Sequence, residues 1–248
     1  MDELLSKNAE KDVRLTTRQH VRQIHNKLSG TPRKADHMLQ VIRLLWNFGK
    51  SKLDWPIGDN PASGIDLYGS SRQFEPWPDW MVTRLGEAPS DVQIAAELIL
   101  GTGQRPNAAI AMKHEHFKGD WMVLHDEKSG ETFETYCPKR LRDFVARLPK
   151  NGKHLLSKNL TQPKGYDAVE RQFRIWRSNL GEVAKKYTLH GLRKLAIVQL
   201  AEAGCTDAEI QAVTNQSAEM VAYYRIRASR RVLSKSAHNR RDQNKNGT

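Results

Sequence analysis

From Ser90 to Leu100, the residues Val92, Ile94, Ala95, Ala96, Leu98 and Ile99 leave almost no polar face at helical spacing. A helix that is apolar nearly all round has to be wrapped by other elements, so this segment predicts the core helix of a globular unit. Ser90 or Asp91 is the expected cap, and Gly101-Thr102-Gly103 the expected end. The chain has 248 residues, enough to bury a sizeable core as one large domain or two small ones.

The remaining periodicity supplies the wrapping. Thr31-Pro32 opens a segment in which Met38, Val41, Ile42, Leu45 and Trp46 recur on one helical face, with Gly49 placed to close it in a left-handed cap. A weaker helical pattern precedes it from Thr17 to Leu28, and the breakers Pro56, Gly58, Pro61, Gly64 and Gly69 follow. Turn formers and two prolines between Tyr68 and Pro78 mark a boundary, and a second unit begins near Trp77. Within it, Trp121–His125 and Glu131–Cys137 read as two strands around a turn at Ser129-Gly130, and Pro138 stops the second. Leu141, Phe144, Val145 and Leu148 mark a helix, as do Ala168, Val169, Phe173, Trp176 and Leu180. Leu192, Leu195, Ala196, Gln199 and Leu200 carry another to Gly204. Thr206 and Glu209 form a capping box for a short helix, and a last helix starts near Ser217 with Met220, Val221 and Tyr224. The fold class expected is mainly α with one small antiparallel sheet.

Charge and cysteine content narrow the function. The formal net charge is +12, of which the last 24 residues supply +7. Such a basic excess favours polyanions through counterion release, and nucleic acid is the usual partner. Cys137 and Cys205 are too few and too distant for a disulfide framework or a four-ligand zinc cluster, which fits a reducing compartment. His114-Glu115-His116 has no third ligand nearby and reads as a strand with outward histidines rather than a metal site. The first residues carry no apolar signal region, and no apolar run approaches a bilayer span, so a cytoplasmic chain without membrane contact is expected. Gly101-x-Gly103 lacks the further residues of a Rossmann or Walker phosphate loop.

Three fragments stand out together: Thr102-Gly103-Gln104-Arg105, Leu189-His190-Gly191-Leu192-Arg193, and Thr214-Asn215-Gln216-Ser217 followed by Tyr223-Tyr224. A phosphate anion is held by cations that compensate the charge on its non-bridging oxygens. Arginine suits this because its planar fork binds phosphate bidentately and stays protonated. Arg105 follows a helix end with two nearby glycines. Arg193 sits at a helix start, whose dipole favours an anion, and His190 lies one turn before it. In this order and spacing the sequence resembles the tyrosine recombinase (phage integrase) family over residues 76–231. Upstream, TPRKADHMLQVIRLLWNFG and DNPASGI resemble the end of the helical core-binding domain that precedes it.

The resemblance implies a tyrosine recombinase catalytic-domain fold at 76–231, a short, partial helical core-binding domain at 1–75 and a basic, disordered tail at 232–248. It implies that Arg105, Lys128, His190, Arg193, Asn215 and Tyr224 are catalytic. The arginines would clamp the phosphate, and His190 would bond it or assist proton transfer. Lys128 would protonate the departing 5′ oxygen, and Tyr224 would attack phosphorus to give a 3′-phosphotyrosyl bond. Asn215 precedes Tyr224 by nine positions, the family register for histidine and tyrosine, which selects Tyr224 over Tyr223. The chain departs from the family at Asn215, which can donate a hydrogen bond but not move a proton, and at Ala108, which stands where an acidic partner of the first arginine is common. Slower chemistry and a loosened Arg105 are expected. The implied function is site-specific recombination of double-stranded DNA by a homotetramer on two duplexes, with no cofactor or metal and an accessory DNA-bending protein as a further partner. The alternatives are a catalytically silent DNA-binding relative and a type IB topoisomerase-like enzyme. Arg225, Arg227, Arg230 and Arg231 are expected on the helix continuing past Tyr224, against a neighbouring protomer or DNA.

Overall fold

The computed structural model describes residues 10–69, 74–127 and 129–245. The chain divides into two compact units, residues 1–73 and 74–248.

In the first unit, α1 (Arg18–Lys27) is closed by the Thr17 hydroxyl, which accepts from the His20 N–H at 3.2 Å, and α2 (Pro32–Lys52) opens on its proline. The chain after α2 folds back so that Ala62 and Ile65 join Val21 and Leu39 in a small core, with Met38 and Ile42 at its edge. Buried His25 and Asp36 meet at 3.2 Å, and Asp36 also accepts from the Tyr68 and Gly69 N–H groups at 2.9 and 2.8 Å, which ties the end of the unit to its helices. Two expectations change here. Gly49 does not cap α2 but lies inside it, because Trp55 packs so closely that a Cβ at Gly49 would collide with the indole. Leu45, expected on the core face, is exposed.

The second unit is built around two helices. The apolar helix α4 (Ser90–Thr102), which follows the short α3 (Asp79–Thr83), is buried on most sides, and against it packs α8 (Leu189–Glu202), which is largely buried as well. The short α5 (Pro106–Ile110) and the helices α6 (Lys139–Ala146) and α7 (Tyr166–Asn179) complete the packing around α4. Trp77 anchors the start of the unit, donating from its indole to the Thr188 carbonyl at 2.7 Å and stacking on Phe173. The cap of α4 is neither Ser90 nor Asp91. Asp91 turns to accept from Lys164 at 2.5 Å and Gln172 at 2.9 Å, a stronger use of its charge.

The sheet has three antiparallel strands in sequence order, β1 (Phe117–Lys118), β2 (Trp121–His125) and β3 (Thr132–Tyr136), with Trp121 opposite Tyr136 and His125 opposite Thr132. Met122, Leu124 and Thr135 face the core while Trp121 and Tyr136 face out. β1 was too short to be read from sequence. His114–His116 forms a 3-10 turn, not a strand, and among the described residues no group of three or more His, Cys, Asp or Glu side chains could hold a metal.

The last part is α9 (Asp207–Thr214), closed by the Thr206–Glu209 box, then α10 (Ala218–Arg225) and α11 (Arg230–Lys245). Residues 232–248 were expected to be disordered, yet 230–245 are helical. Glu202 accepts from the Ser229 N–H at 2.8 Å ahead of the helix, and Arg240 donates to the Gly204 carbonyl at 2.8 Å along it. The helix at Tyr224 does not continue through Arg230 but ends at Arg225. Among the described residues no helix is long and apolar enough to cross a membrane.

The turn between α4 and α5 depends on Gly103, whose φ of +64° is left-handed and whose missing side chain leaves room for Thr214; a Cβ there would sit 2.7 Å from Thr214 Cγ2. Gly119 shares the positive φ but has open space around it. Gly103→Ala should therefore destabilise by about 1–3 kcal/mol and by more than Gly119→Ala. Urea unfolding of both variants checks this; equal losses would contradict it.

Candidate active site

Two left-handed turns bring the predicted residues together. Gly103 ends α4, and Arg105 then stands in extended conformation as the residue before Pro106, fixing where its side chain leaves the backbone. Asn215 ends α9 with φ of 47°, a conformation that asparagine tolerates better than most side chains. Because Gly103 packs on Thr214, the two turns touch.

Asp126 lies between them. Its Oδ2 accepts from Arg105 Nη1 at 2.7 Å and from Asn215 Nδ2 at 3.4 Å, while its Oδ1 accepts from the Ser129 N–H at 3.0 Å and so shapes the β2–β3 turn. The Asp126 side chain is 5% exposed and that of Arg105 33%, so the carboxylate fixes one edge of a guanidinium that still reaches solvent. The expectation that Ala108 leaves Arg105 loose is thus corrected: the acidic partner comes from the end of β2 rather than from α5. Lys128 lies outside the described residues.

Arg193 emerges from the first turns of α8 and is 5% exposed. Its Nη2 donates to the Thr214 carbonyl at 3.3 Å and lies 3.5 Å from the Asn215 carbonyl, whereas its buried Nη1 has no hydrogen-bond partner. Burial pushes its pKa down to about 10, Arg105 adds to the fall, and Asp126 opposes it. The amide of Gln104 is also buried with neither polar atom partnered. Among these, the unpartnered Arg193 Nη1 is a charged donor with capacity for an oxyanion.

His190, on the same turn of α8, stacks on Phe74 at 4.7 Å and meets Tyr166 edge-on at 6.4 Å. Burial, Arg193, Lys194 and Arg105 all lower its pKa. Tyr224, on α10, is fully buried, and its Oη donates to the Phe74 carbonyl at 3.0 Å. Burial raises its pKa, with Tyr223 and Glu75 adding and Arg227 opposing. Tyr223 is partly exposed beside Arg227. The basic residues past Tyr224 are less free than expected, since Arg225 pairs with Asp207 and Arg227 with Glu75.

The structure therefore gathers Arg105, Arg193, His190 and Asn215, and sets Tyr224 against the same cluster through Phe74 and Lys194. The sequence reading missed Asp126, Lys194 and Gln216.

Comparison with solved structures gives this arrangement its fold. The chain superposes on a lambda integrase (75–356) dimer bound to a COC′ core site with a TM-score of 0.70 at 16% identity, covering 86% of this chain and 81% of that one. Against a longer lambda integrase chain the TM-score is 0.68 at 16% identity, and this chain spans 65% of it. The Tn1549 transposon integrase (82–397, R225K) with circular intermediate DNA matches at a TM-score of 0.68 and 14% identity, covering 97% and 91%. No protein-family model matches the sequence, and no curated protein matches it. The mostly helical fold with a three-stranded antiparallel sheet is that of the tyrosine recombinase (integrase) catalytic domains.

Because its neighbours disfavour the imidazolium, His190 should titrate below the ordinary 6.5, and Arg193→Gln should raise its midpoint. The folded state then binds fewer protons than the unfolded one as pH falls below 6.5, so this histidine withdraws stability on acidification until its own lower pKa is passed. Histidine NMR titration checks both; a midpoint at or above 6.5 would contradict the site's electrostatics.

Proposed function

We propose that the protein is a DNA strand-exchange enzyme of the tyrosine recombinase type, acting on double-stranded DNA through a 3′-phosphotyrosyl intermediate. The observation that carries this reading is buried Arg193, with its unpartnered Nη1, in a cluster with Arg105, Asn215 and His190 that is linked through Phe74 and Lys194 to buried Tyr224. The fold shared with integrases supports it.

In this reading the scissile phosphate enters the cationic pocket. Arg193 Nη1 and the solvent-facing edge of Arg105 donate to its non-bridging oxygens, Asn215 adds an amide donor, and His190 bonds the same phosphate as a neutral imidazole. Such preorganised donors stabilise the charge that builds up as phosphorus becomes five-coordinate. Tyr224 Oη leaves the Phe74 carbonyl, gives its proton to solvent base and attacks phosphorus. The P–O5′ bond breaks, and the 5′ oxygen takes a proton from Lys128. Rejoining is the reverse, with a 5′ hydroxyl as nucleophile and tyrosine as leaving group. The cations supply the charge compensation, and the step requires no metal or nucleotide.

In the same proposal the first unit is a partial core-binding domain that holds the duplex, and the protein acts as a homotetramer on two duplexes. The structural neighbours include a lambda integrase dimer on a core site and a lambda integrase tetramer on a Holliday junction. One observation favours a catalytically silent DNA-binding protein instead: Tyr224 is wholly buried with its hydroxyl bonded to main chain.

A pool of randomised duplexes, each carrying a nick so that cleavage releases a short end, separates the two. Wild type should leave SDS-resistant protein–DNA adducts, Tyr223→Phe should retain them, Tyr224→Phe should abolish them, and Arg193→Gln should slow them by about 100-fold or more. DNA retention without any adduct would overturn the enzyme reading. A second outcome follows from Asp126: Asp126→Ala, which frees Arg105, should slow capture by about tenfold or more while leaving duplex affinity nearly unchanged. An unchanged capture rate would remove Asp126 from the site.

A further inference from the structure

Lys194 follows Arg193 on α8 and is 9% exposed, between the buried Leu192, Leu195 and Ala196. A buried ammonium persists only where something compensates its charge. Its Nζ donates to Gln216 Oε1 at 2.9 Å and stands 4.7 Å from the centre of the Tyr224 ring. The groups facing it are Arg193 on its own helix, Arg105 before α5, Gln216 after α9, Tyr224 on α10, and His190, whose own pKa it helps to lower. Burial, Arg193 and Arg105 bring its pKa down to about 8, so it remains mostly an ammonium at neutral pH. Neither a neutral amide nor a ring face balances a full charge, and the neighbouring charges of Arg193 and Arg105 both repel it. Such a cation is best satisfied by an anion that forms nearby.

Resting on the reading of Tyr224 as nucleophile, we propose that Lys194 is a positioning residue for it: anchored by Gln216, its ammonium holds the Tyr224 ring and favours the ionised phenol as it leaves the Phe74 carbonyl. Lys194 keeps its own proton, and the phenol proton passes to solvent base. This supplies beside the nucleophile a charge that Asn215 cannot carry.

The test uses the full chain with trifluorotyrosine incorporated, because three fluorines lower the phenol's ionisation and so offset the rise that burial imposes at this site, which lets it be followed while Lys194 is still charged. The ¹⁹F resonance of residue 224 is identified by its loss in Tyr224→Phe and followed against pH. Lys194→Met should raise its midpoint by about one unit, a tenfold change in the ionisation constant, and Lys194→Arg should restore at least part of the shift. An unchanged midpoint in folded Lys194→Met would overturn the proposal. Should that variant fail to fold, Gln216→Leu, which removes the anchor, should raise the midpoint in the same direction, and no rise there would equally overturn it. The adduct assay gives a separate arm: below pH 8, Lys194→Met should capture nicked duplex about tenfold more slowly than wild type, with rescue by Lys194→Arg. Absence of any wild-type adduct would defeat the nucleophile reading, whereas the ¹⁹F midpoint decides the hold of Lys194 on the phenol in either case.

Discussion

A guanidinium kept from water with one nitrogen unpartnered is the constraint around which the larger unit is arranged. Arg193 is held there by its place on α8, whose remaining faces are apolar and packed on α4 and its neighbours. Exposing Arg193 would mean turning the helix and exposing Leu192, Leu195 and Ile197 with it, and each buried aliphatic side chain is worth about 1.5–3 kcal/mol. The core thus holds a charge in place that would be unfavourable in isolation, and the charge in turn defines a pocket that an oxyanion would complete.

Balance within the pocket is local. Burial and the Arg105 charge lower the pKa of Arg193, burial with Arg193 and Arg105 lowers that of Lys194, and the Asp126 carboxylate, buried against Arg105, is the counter-charge that opposes the fall at Arg193. Among the described residues, Asp126 set against Arg105, Arg193 and Lys194 leaves an excess of positive charge in a partly dry site, where it acts over a few ångströms with little screening. The backbone makes the meeting possible. A glycine and an asparagine both take left-handed conformations and touch through Thr214, so residues more than a hundred positions apart share one carboxylate.

Much of this was legible in the sequence, because periodicity reports what a segment must bury. The apolar helix 90–102, the capping box at Thr206, the hairpin after Trp121 and the order of the arginine, histidine and tyrosine fragments all rest on local spacing. What escaped was non-local. Asp126 takes the place of an acidic residue missing near Ala108, but it reaches Arg105 from another element, and no spacing within α5 could reveal it. Lys194 was masked by its neighbour Arg193, since a second charge on an apolar helix reads as a snorkelling surface residue until the helix proves buried on that side too. Gly49 was read as a cap because glycine most often serves that way, whereas here it makes room for Trp55. The helix after Ser229 carries few apolar residues, so its pattern resembled that of a solvated tail.

The central claim is that this pocket serves one phenol oxygen and one phosphate. Its most direct test is chemical identification of the bond itself: capture DNA, trim it with nuclease, digest the protein, and locate the nucleotide-bearing residue by tandem mass spectrometry. The account predicts a nucleotide joined through its 3′ phosphate to Tyr224. Attachment at Tyr223 or at a serine, or through a 5′ phosphate, would contradict it.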